Sequence, residues 1–247
     1  MLSAERLRLA HAKARGVTAG ARREVAVGAD GGEGERRRRE GDRHRAVRGH
    51  VHARKVEEQL DRLNRDGRLP KFIYTISTYQ NPTGFVMPET RRRQIIELGQ
   101  HYKVPIIEDN CYADVHYDGP LEPAFYALDD DPNIIYLCSL SKILAPGLRL
   151  GYIYAKPPML DRLLARRSDA GSNTLAAAIT AEFYKDGIGA HAKVANPVLK
   201  EKRDLTLQGL EEELGDIRVW SEPVGGPSIW VRLPEDIART HLMALSR

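Results

Sequence analysis

The strongest constraint on the fold is an alternation of short apolar runs with a helical pattern between residues 72 and 155. Phe72–Ser77, Val104–Glu108, Ile134–Cys138 and Leu150–Ala155 have the length and composition of strands, and the middle two are apolar enough for buried parallel strands. Thr90–Tyr102 has the apolar spacing of a helix. This order predicts an α/β domain of three layers, with helices on both faces of a sheet.

Polar residues follow three of the four predicted strands. Asn81 comes after the first, Asp109 directly after the second, and Ser139 and Lys142 after the third. Ligands of open α/β sheets bind beyond the carboxyl ends of the strands. The sequence therefore predicts one convergent site at that edge of the sheet.

Lys142 suggests the chemistry of this site. It stands in a Ser-x-Ser-Lys string with Ser139 and Ser141, and Arg149 follows seven residues later. A lysine amine can form a Schiff base with an aldehyde cofactor, while hydroxyls and a guanidinium can hold a phosphate dianion. Alone the string is a weak signal, because surface lysines near serines are common.

Three motifs together carry a family resemblance. They are Asn81-Pro82-Thr83-Gly84, Glu108-Asp109-Asn110-Cys111-Tyr112, and the run from Ser139 to Tyr152. This set resembles the pyridoxal-phosphate-dependent aminotransferases of fold type I, class I/II, and is most similar to the kynurenine/2-aminoadipate aminotransferases. The resemblance implies an incomplete α/β/α large domain, the start of a small α+β domain, and transamination between an amino acid and a 2-oxo acid.

The resemblance also implies a role for each motif residue. Asp109 would keep the pyridine nitrogen protonated, Tyr112 and Asn81 would bond the ring 3-hydroxyl, and Lys142 would form the Schiff base and then move a proton. The predicted catalytic residues are Lys142, Asp109 and Tyr112; the predicted cofactor-binding residues are Asn81, Asp109, Tyr112, Ser139, Ser141, Lys142 and Arg149.

Each residue also has an ordinary structural interpretation. The Asn81 motif can be a β-turn, Tyr112 a half-buried core residue, Asp109 a helix cap and Arg149 an ion-pair partner. Cys111 invites a nucleophile role, but no adjacent base is evident, so packing is favoured. The eight histidines show no metal-ligand spacing, and no metal is expected.

Residues 1–55 differ from the rest of the chain. They hold 15 Lys/Arg and 7 Asp/Glu, include Arg36–Arg39, and lack Phe, Tyr and Trp. Such a segment buries too little apolar area to offset its ordering entropy. Three interpretations stay open: a disordered tail, a frame-shifted stretch in place of the usual N-terminal region, and a nucleic-acid-binding arm.

The later part of the chain predicts helices and then two strands. The helices are Met159–Arg167, Thr174–Lys185 and His191–Leu214, and the strands are Ile217–Trp220 and Ser228–Leu233. We expect three regions: the basic segment 1–55, a pyridoxal-phosphate-binding large-domain portion 56–187, and an interdomain helix with a partial small domain, 188–247.

Composition limits the setting and partners of the protein. Two cysteines give no disulfide framework, which favours the cytoplasm, and no apolar run reaches the length of a membrane span. The family resemblance implies small-molecule amino acid and 2-oxo acid substrates and a homodimer. Neither a membrane nor a nucleic acid is expected as a partner.

Three parts of the family pattern have no counterpart here: an upstream helix N-terminus at the phosphate, an upstream aromatic on the ring, and a C-terminal arginine for the substrate carboxylate. A truncated or poorly active aminotransferase is therefore one expectation. The alternatives are a regulatory module of the GntR type, in which an aminotransferase-like domain binds the cofactor, and a non-catalytic fragment. The regulator is disfavoured because residues 1–55 carry no helix-turn-helix pattern.

Overall fold

The computed structural model describes residues 25–26, 52–167, 171–185, 187–214, 218–219 and 222–232. Most of the basic segment 1–55 therefore lies outside the described residues, and so do residues 215–217, 220–221 and 233–247. The boundaries expected at residues 55 and 187 stay a prediction. Among the described residues, no helix is long and apolar enough to cross a membrane.

The described elements alternate between strands and helices up to residue 165 and are mainly helical beyond it. The strands are β1 (Val25–Ala26), β2 (Ile73–Thr75), β3 (Ile106–Asp109), β4 (Ile134–Ser139), β5 (Gly151–Tyr154), β6 (Arg218–Val219) and β7 (Val231–Arg232). The α-helices are α1 (Ala53–Arg65), α2 (Glu89–Tyr102), α3 (Phe125–Leu128), α4 (Pro157–Ala165), α5 (Thr174–Phe183) and α6 (Ile188–Leu214).

One five-stranded sheet organises the large domain in the order β1-β2-β3-β4-β5. The first four strands are parallel, and β5 runs antiparallel to β4 with Ser139 opposite Gly151. Parallel neighbours need a long crossover, usually a helix, whereas the chain returns from β4 to β5 through a loop with one short 3-10 turn, Pro146–Leu148. β6 and β7 form a separate antiparallel pair.

Apolar side chains cover both faces of this sheet. On one face, Ile73, Ile106 and Ile134 pack against residues of α1, α2 and α3, among them the fully buried Phe125. On the other face, Ile135 and its neighbours pack against Leu160 and other residues of α4. The predicted three-layer α/β/α arrangement is confirmed. Both faces of the sheet are covered by helices, as is usual for parallel strands.

The boundaries of several elements differ from the sequence-based ones. β2 ends at Thr75, because the backbone after residue 76 leaves the sheet. It enters a loop of residues 77–87, here called the Asn81 loop, whose two ends are joined by the Met87 amide and the Ser77 carbonyl. α6 begins at Ile188 and continues through Pro197. The two late strands are short, and parts of both predicted ranges lie outside the described residues.

A buried ion pair joins α2 to β3. The side chains of Arg92 and Glu108 are both 0% exposed, with Arg92 Nη1 3.2 Å from Glu108 Oε1. The Ser77 hydroxyl donates to the same carboxylate oxygen at 2.5 Å, and the Phe125 amide donates to the other at 2.9 Å. Burial raises the pKa of Glu108 to about 7, against the lowering effects of the Ser77 hydrogen bond and of Arg92. Four segments of the chain therefore meet at this carboxylate.

Replacing Arg92 with methionine is expected to lower the free energy of unfolding by about 3–5 kcal/mol, because the buried Glu108 carboxylate would lose the positive charge that compensates it. Urea unfolding followed by circular dichroism measures the change. Arg93→Met is the matched control, since it removes only an exposed pair with Glu89 and should cost less than about 0.5 kcal/mol. Equal losses in the two variants would contradict the assignment.

Candidate active site

Asp109 stands at the carboxyl end of β3, at the edge where the parallel strands end. It is half-buried, and its Oδ2 accepts a 2.6 Å hydrogen bond from the Tyr74 hydroxyl. The next residue, Asn110, is buried, and its amide donates to the Leu137 carbonyl of β4 at 2.9 Å. Asp109 is thus held by two neighbouring strands rather than by a surface loop, which argues against the helix-cap interpretation.

Asn81 lies in a loop that approaches the end of β3. Its Nδ2 donates to the Tyr112 hydroxyl at 3.3 Å, so two of the predicted cofactor ligands are in direct contact. The bond between Asn81 and Pro82 is cis, and Gly84 has a φ of +72°. The loop is closed by the Gln80 amide donating to Phe85 and the Gly84 amide donating to Gln80. The turn interpretation of this motif and the ligand interpretation are therefore compatible.

Arg92 forms hydrogen bonds with both ends of the Asn81 loop. Its Nε donates to the Met87 carbonyl at 2.8 Å, and its Nη2 donates to the Ser77 carbonyl at 3.1 Å and to the Thr78 hydroxyl at 3.0 Å. The Met87 amide donates to the Ser77 carbonyl at 2.8 Å, which joins the two ends directly. The position of Asn81 consequently depends on the buried guanidinium.

Lys142 lies in a tight turn that begins after β4. Leu140 and Ile143 are buried on either side of it, whereas Lys142 itself is exposed. The Leu144 amide donates to the Leu140 carbonyl at 3.0 Å, and a ring nitrogen of His191 is 2.8 Å from the Ile143 carbonyl. The apolar neighbours and these bonds fix the turn on which Lys142 stands.

The predicted phosphate ligands are only partly assembled. The Ser141 amide donates to the Ser139 hydroxyl at 3.3 Å, so the two serines lie together. Arg149 instead donates to the Pro146 carbonyl of its own turn at 3.1 Å and is exposed. β5 starts with Gly151, where an added Cβ would come within 2.7 Å of a backbone oxygen of β4. That close approach places the Arg149 turn beside Ser139.

The Cys111 thiol is held within the site. Burial, followed by the charge of Asp109 and a hydrogen bond to it, raises the pKa of Cys111 to about 12. Burial also raises the pKa of Tyr112, against the lowering effect of the Asn81 hydrogen bond. Both side chains stay protonated near neutral pH, and a neutral thiol is a poor nucleophile. The raised pKa favours the packing role expected for Cys111 over a nucleophilic one.

The start of the small domain packs onto the Asn81 loop. Gly225 and Gly226 lie against the ring of Tyr79, and a Cβ on Gly225 would overlap that ring. The Tyr79 hydroxyl contacts His116 Nδ1, and the Gly226 amide donates to the Val115 carbonyl at 2.7 Å. The glycine pair is therefore required by close packing, and the two parts of the chain meet beside the site.

Sequence reasoning missed the residues that hold the site in place. Tyr74, Ser77, Arg92 and His191 carry no motif, and Glu108 was noted only as part of a string. A buried arginine on an amphipathic helix cannot be told from an exposed one by sequence pattern alone. Among the described residues, no group of three His, Cys, Asp or Glu side chains is placed to hold a metal ion.

Comparison with known families decides the kind of protein this is. The family model described as aminotransferase class I and II matches residues 39–243. The chain belongs to this family. The match includes β2 to β5 and every predicted site residue.

Two curated relatives and one solved structure show the range of the family. Aromatic-amino-acid aminotransferase 1 of Thermococcus litoralis is 39% identical over 186 residues, 74% of this chain and 44% of that protein. The uncharacterized HTH-type transcriptional regulator YisV of Bacillus subtilis is 37% identical over 185 residues, 74% of this chain and 38% of that protein. The Pyrococcus horikoshii kynurenine aminotransferase, solved with PMP, kynurenine and its product, has a TM-score of 0.69 and 33% identity over 77% of this chain and 48% of its own. The chain thus spans less than half the length of each.

The thiol of Cys111 should resist alkylation in the folded protein. With its pKa raised to about 12, its thiolate fraction at pH 8 is on the order of a thousandfold below that of an ordinary cysteine. Iodoacetamide labelling followed by mass spectrometry should find Cys111 unmodified in the native chain and labelled in urea. Rapid labelling of Cys111 without denaturant would contradict the neutral thiol.

Proposed function

We propose that this chain binds pyridoxal 5′-phosphate at the edge of its sheet and belongs to an enzyme that transfers an amino group between an amino acid and a 2-oxo acid. The observation that carries the proposal is the convergence of Asn81, Asp109 and Tyr112, with Lys142 on the next turn of the same edge. Two of the three relatives described above are named as aminotransferases, but the chain spans less than half of their length, so the activity belongs to the proposal.

The residues present fit this cofactor by their donor chemistry. The Asn81 amide nitrogen has two hydrogens, of which one is directed to Tyr112, and the Tyr112 hydroxyl can both donate and accept. Asp109 offers a carboxylate, and Ser139 and Ser141, which lie together, offer hydroxyls. Such a set suits a group with a phenolic oxygen, a basic ring nitrogen and a phosphate.

Pyridoxal phosphate supplies, when bound, an aldehyde conjugated to an electron-accepting ring. The Asp109 carboxylate would hold a proton on the ring nitrogen, and Asn81 with Tyr112 would favour the charged form of the ring oxygen. Ser139, Ser141 and Arg149 would bind the phosphate, for which the Arg149 side chain has to leave the Pro146 carbonyl. The Lys142 amine would bind the aldehyde and, once displaced, carry a proton at the substrate carbon.

A regulatory module is the second candidate function. The observation that favours it is the 37% identity with an HTH-type transcriptional regulator over the same part of the chain. Such a module would bind the cofactor through the same residues and would not turn over an amino donor. Release of a 2-oxo acid from an amino acid therefore separates the two functions.

A second copy of this chain is the proposed partner. Leu175, Ile179 and Phe183 recur every four residues on α5, and they are 72%, 55% and 56% exposed. Contiguous exposed apolar side chains are typical of interaction surfaces. A two-fold contact would bury two such stripes against each other. The two free cysteines, Cys111 and Cys138, accord with the cytoplasm, which we propose as the location.

Sedimentation velocity tests the dimer. The wild-type chain is expected to sediment as a dimer at micromolar concentration, and Ile179→Glu as a monomer, because the added charge would be buried in the contact. Lys193→Glu is the control for a change of charge, placed at a residue of α6 outside the stripe. A wild-type chain that is monomeric at every concentration would contradict this part of the proposal.

The cofactor proposal is tested by the visible absorption of the purified chain after incubation with pyridoxal phosphate and dialysis. The wild type should keep a visible band that borohydride fixes to the protein, and mass spectrometry should place the modification on Lys142. Lys142→Ala should show no band, while Lys156→Ala, which removes an ion pair with Asp130 away from the site, should keep it. A wild type that loses the cofactor on dialysis would exclude the proposed function for this chain.

A further inference from the structure

Tyr74 is a polar residue of the sheet that none of the motifs includes. It lies on β2, the neighbour of β3, and pairs in register with Ile107. Because side chains alternate along a strand, Ile107 and Asp109 share a face, and Tyr74 stands on that same face. The sheet itself therefore places the Tyr74 hydroxyl beside the carboxylate of Asp109.

The contact between these two residues is direct and short. The Tyr74 hydroxyl donates to Asp109 Oδ2 at 2.6 Å, the length expected of a hydrogen bond to a charged acceptor. Burial, followed by the hydrogen bond and the charge of Asp109, raises the pKa of Tyr74 well above its ordinary value. The Tyr74 hydroxyl therefore stays protonated at neutral pH and remains a hydrogen-bond donor.

We propose that Tyr74 is a positioning residue, which holds the Asp109 carboxylate in one orientation toward the ring nitrogen of the cofactor. This inference rests on the proposed function. A carboxyl group at the end of a strand can otherwise turn about its last side-chain bond, which has a broad energy profile. A donor mounted on the adjacent strand removes that freedom, and the charged partner strengthens the bond.

The rival interpretation is that Tyr74 only packs in the sheet. A packing role would act on the stability of the domain whether or not Asp109 is present. A positioning role acts through Asp109 and disappears when the carboxylate is removed. A double-mutant cycle distinguishes the two, since independent effects add and coupled ones do not.

The experiment measures the dissociation constant of pyridoxal phosphate for the full chain, by equilibrium dialysis, in four variants. Tyr74→Phe is expected to weaken binding about tenfold, and the same change in an Asp109→Ala background about twofold or less. Tyr154→Phe is the matched control, a tyrosine on β5 whose ring packs on Tyr126, and it should leave the constant unchanged. Circular dichroism melting of each variant without cofactor checks its folding.

Each outcome bears on the inference. An unchanged constant in Tyr74→Phe, or an equal loss in both backgrounds, overturns the positioning role while the proposed function stands. A wild type that retains no cofactor overturns both. In that case proton NMR of the cofactor-free chain still tests the contact: a slowly exchanging Tyr74 hydroxyl proton should vanish in Asp109→Ala and persist in Tyr154→Phe, and its absence from the wild type overturns the contact as well.

Discussion

The buried pair of Arg92 and Glu108 is the interaction on which the site depends. Taking two charges out of water costs several kcal/mol per ion, and the pair tolerates this only because nearly every donor and acceptor is satisfied. The guanidinium bonds backbone and hydroxyl oxygens at both ends of the Asn81 loop as well as the carboxylate. A hydrophobic pair of the same volume could fill the space, but it could not hold the loop.

Glu108 and Asp109 are consecutive residues of β3 whose side chains lie on opposite faces of the sheet. Glu108 points to the face of α2 and α3, where it is fully buried, and Asp109 points to the opposite face beside Tyr74. The Glu108 carboxylate therefore stabilises the interior, whereas the Asp109 carboxylate lies in the candidate site. The Asn81 loop and Asp109 are thus anchored on the same strand, the loop through Arg92 and Ser77 at Glu108 and Asp109 as the next residue.

The sequence predicted β2 to β5 of the sheet, because strand length and apolar runs are local features, but it did not predict β1, which lies in the basic segment 1–55. It also predicted that Asn81 and Tyr112 lie in one site, and these two side chains are in contact. It did not predict that Arg92 is buried, since its neighbour Arg93 looks the same in the pattern and is exposed. Tyr74 was equally hidden, because a strand tyrosine is ordinary until its partner on the next strand is known. Burial and partners of single side chains arise from tertiary packing, which periodicity does not encode.

The central claim is that one sheet edge of this chain holds pyridoxal phosphate through Lys142, Asp109, Asn81 and Tyr112. A crystal structure of the wild-type chain grown with the cofactor tests it most directly. The account predicts continuous density from the Lys142 amine to the cofactor, with the ring nitrogen at Asp109 and the ring oxygen at Asn81 and Tyr112. Cofactor bound elsewhere, or none at saturating concentration with the Asn81 loop in place, would contradict it.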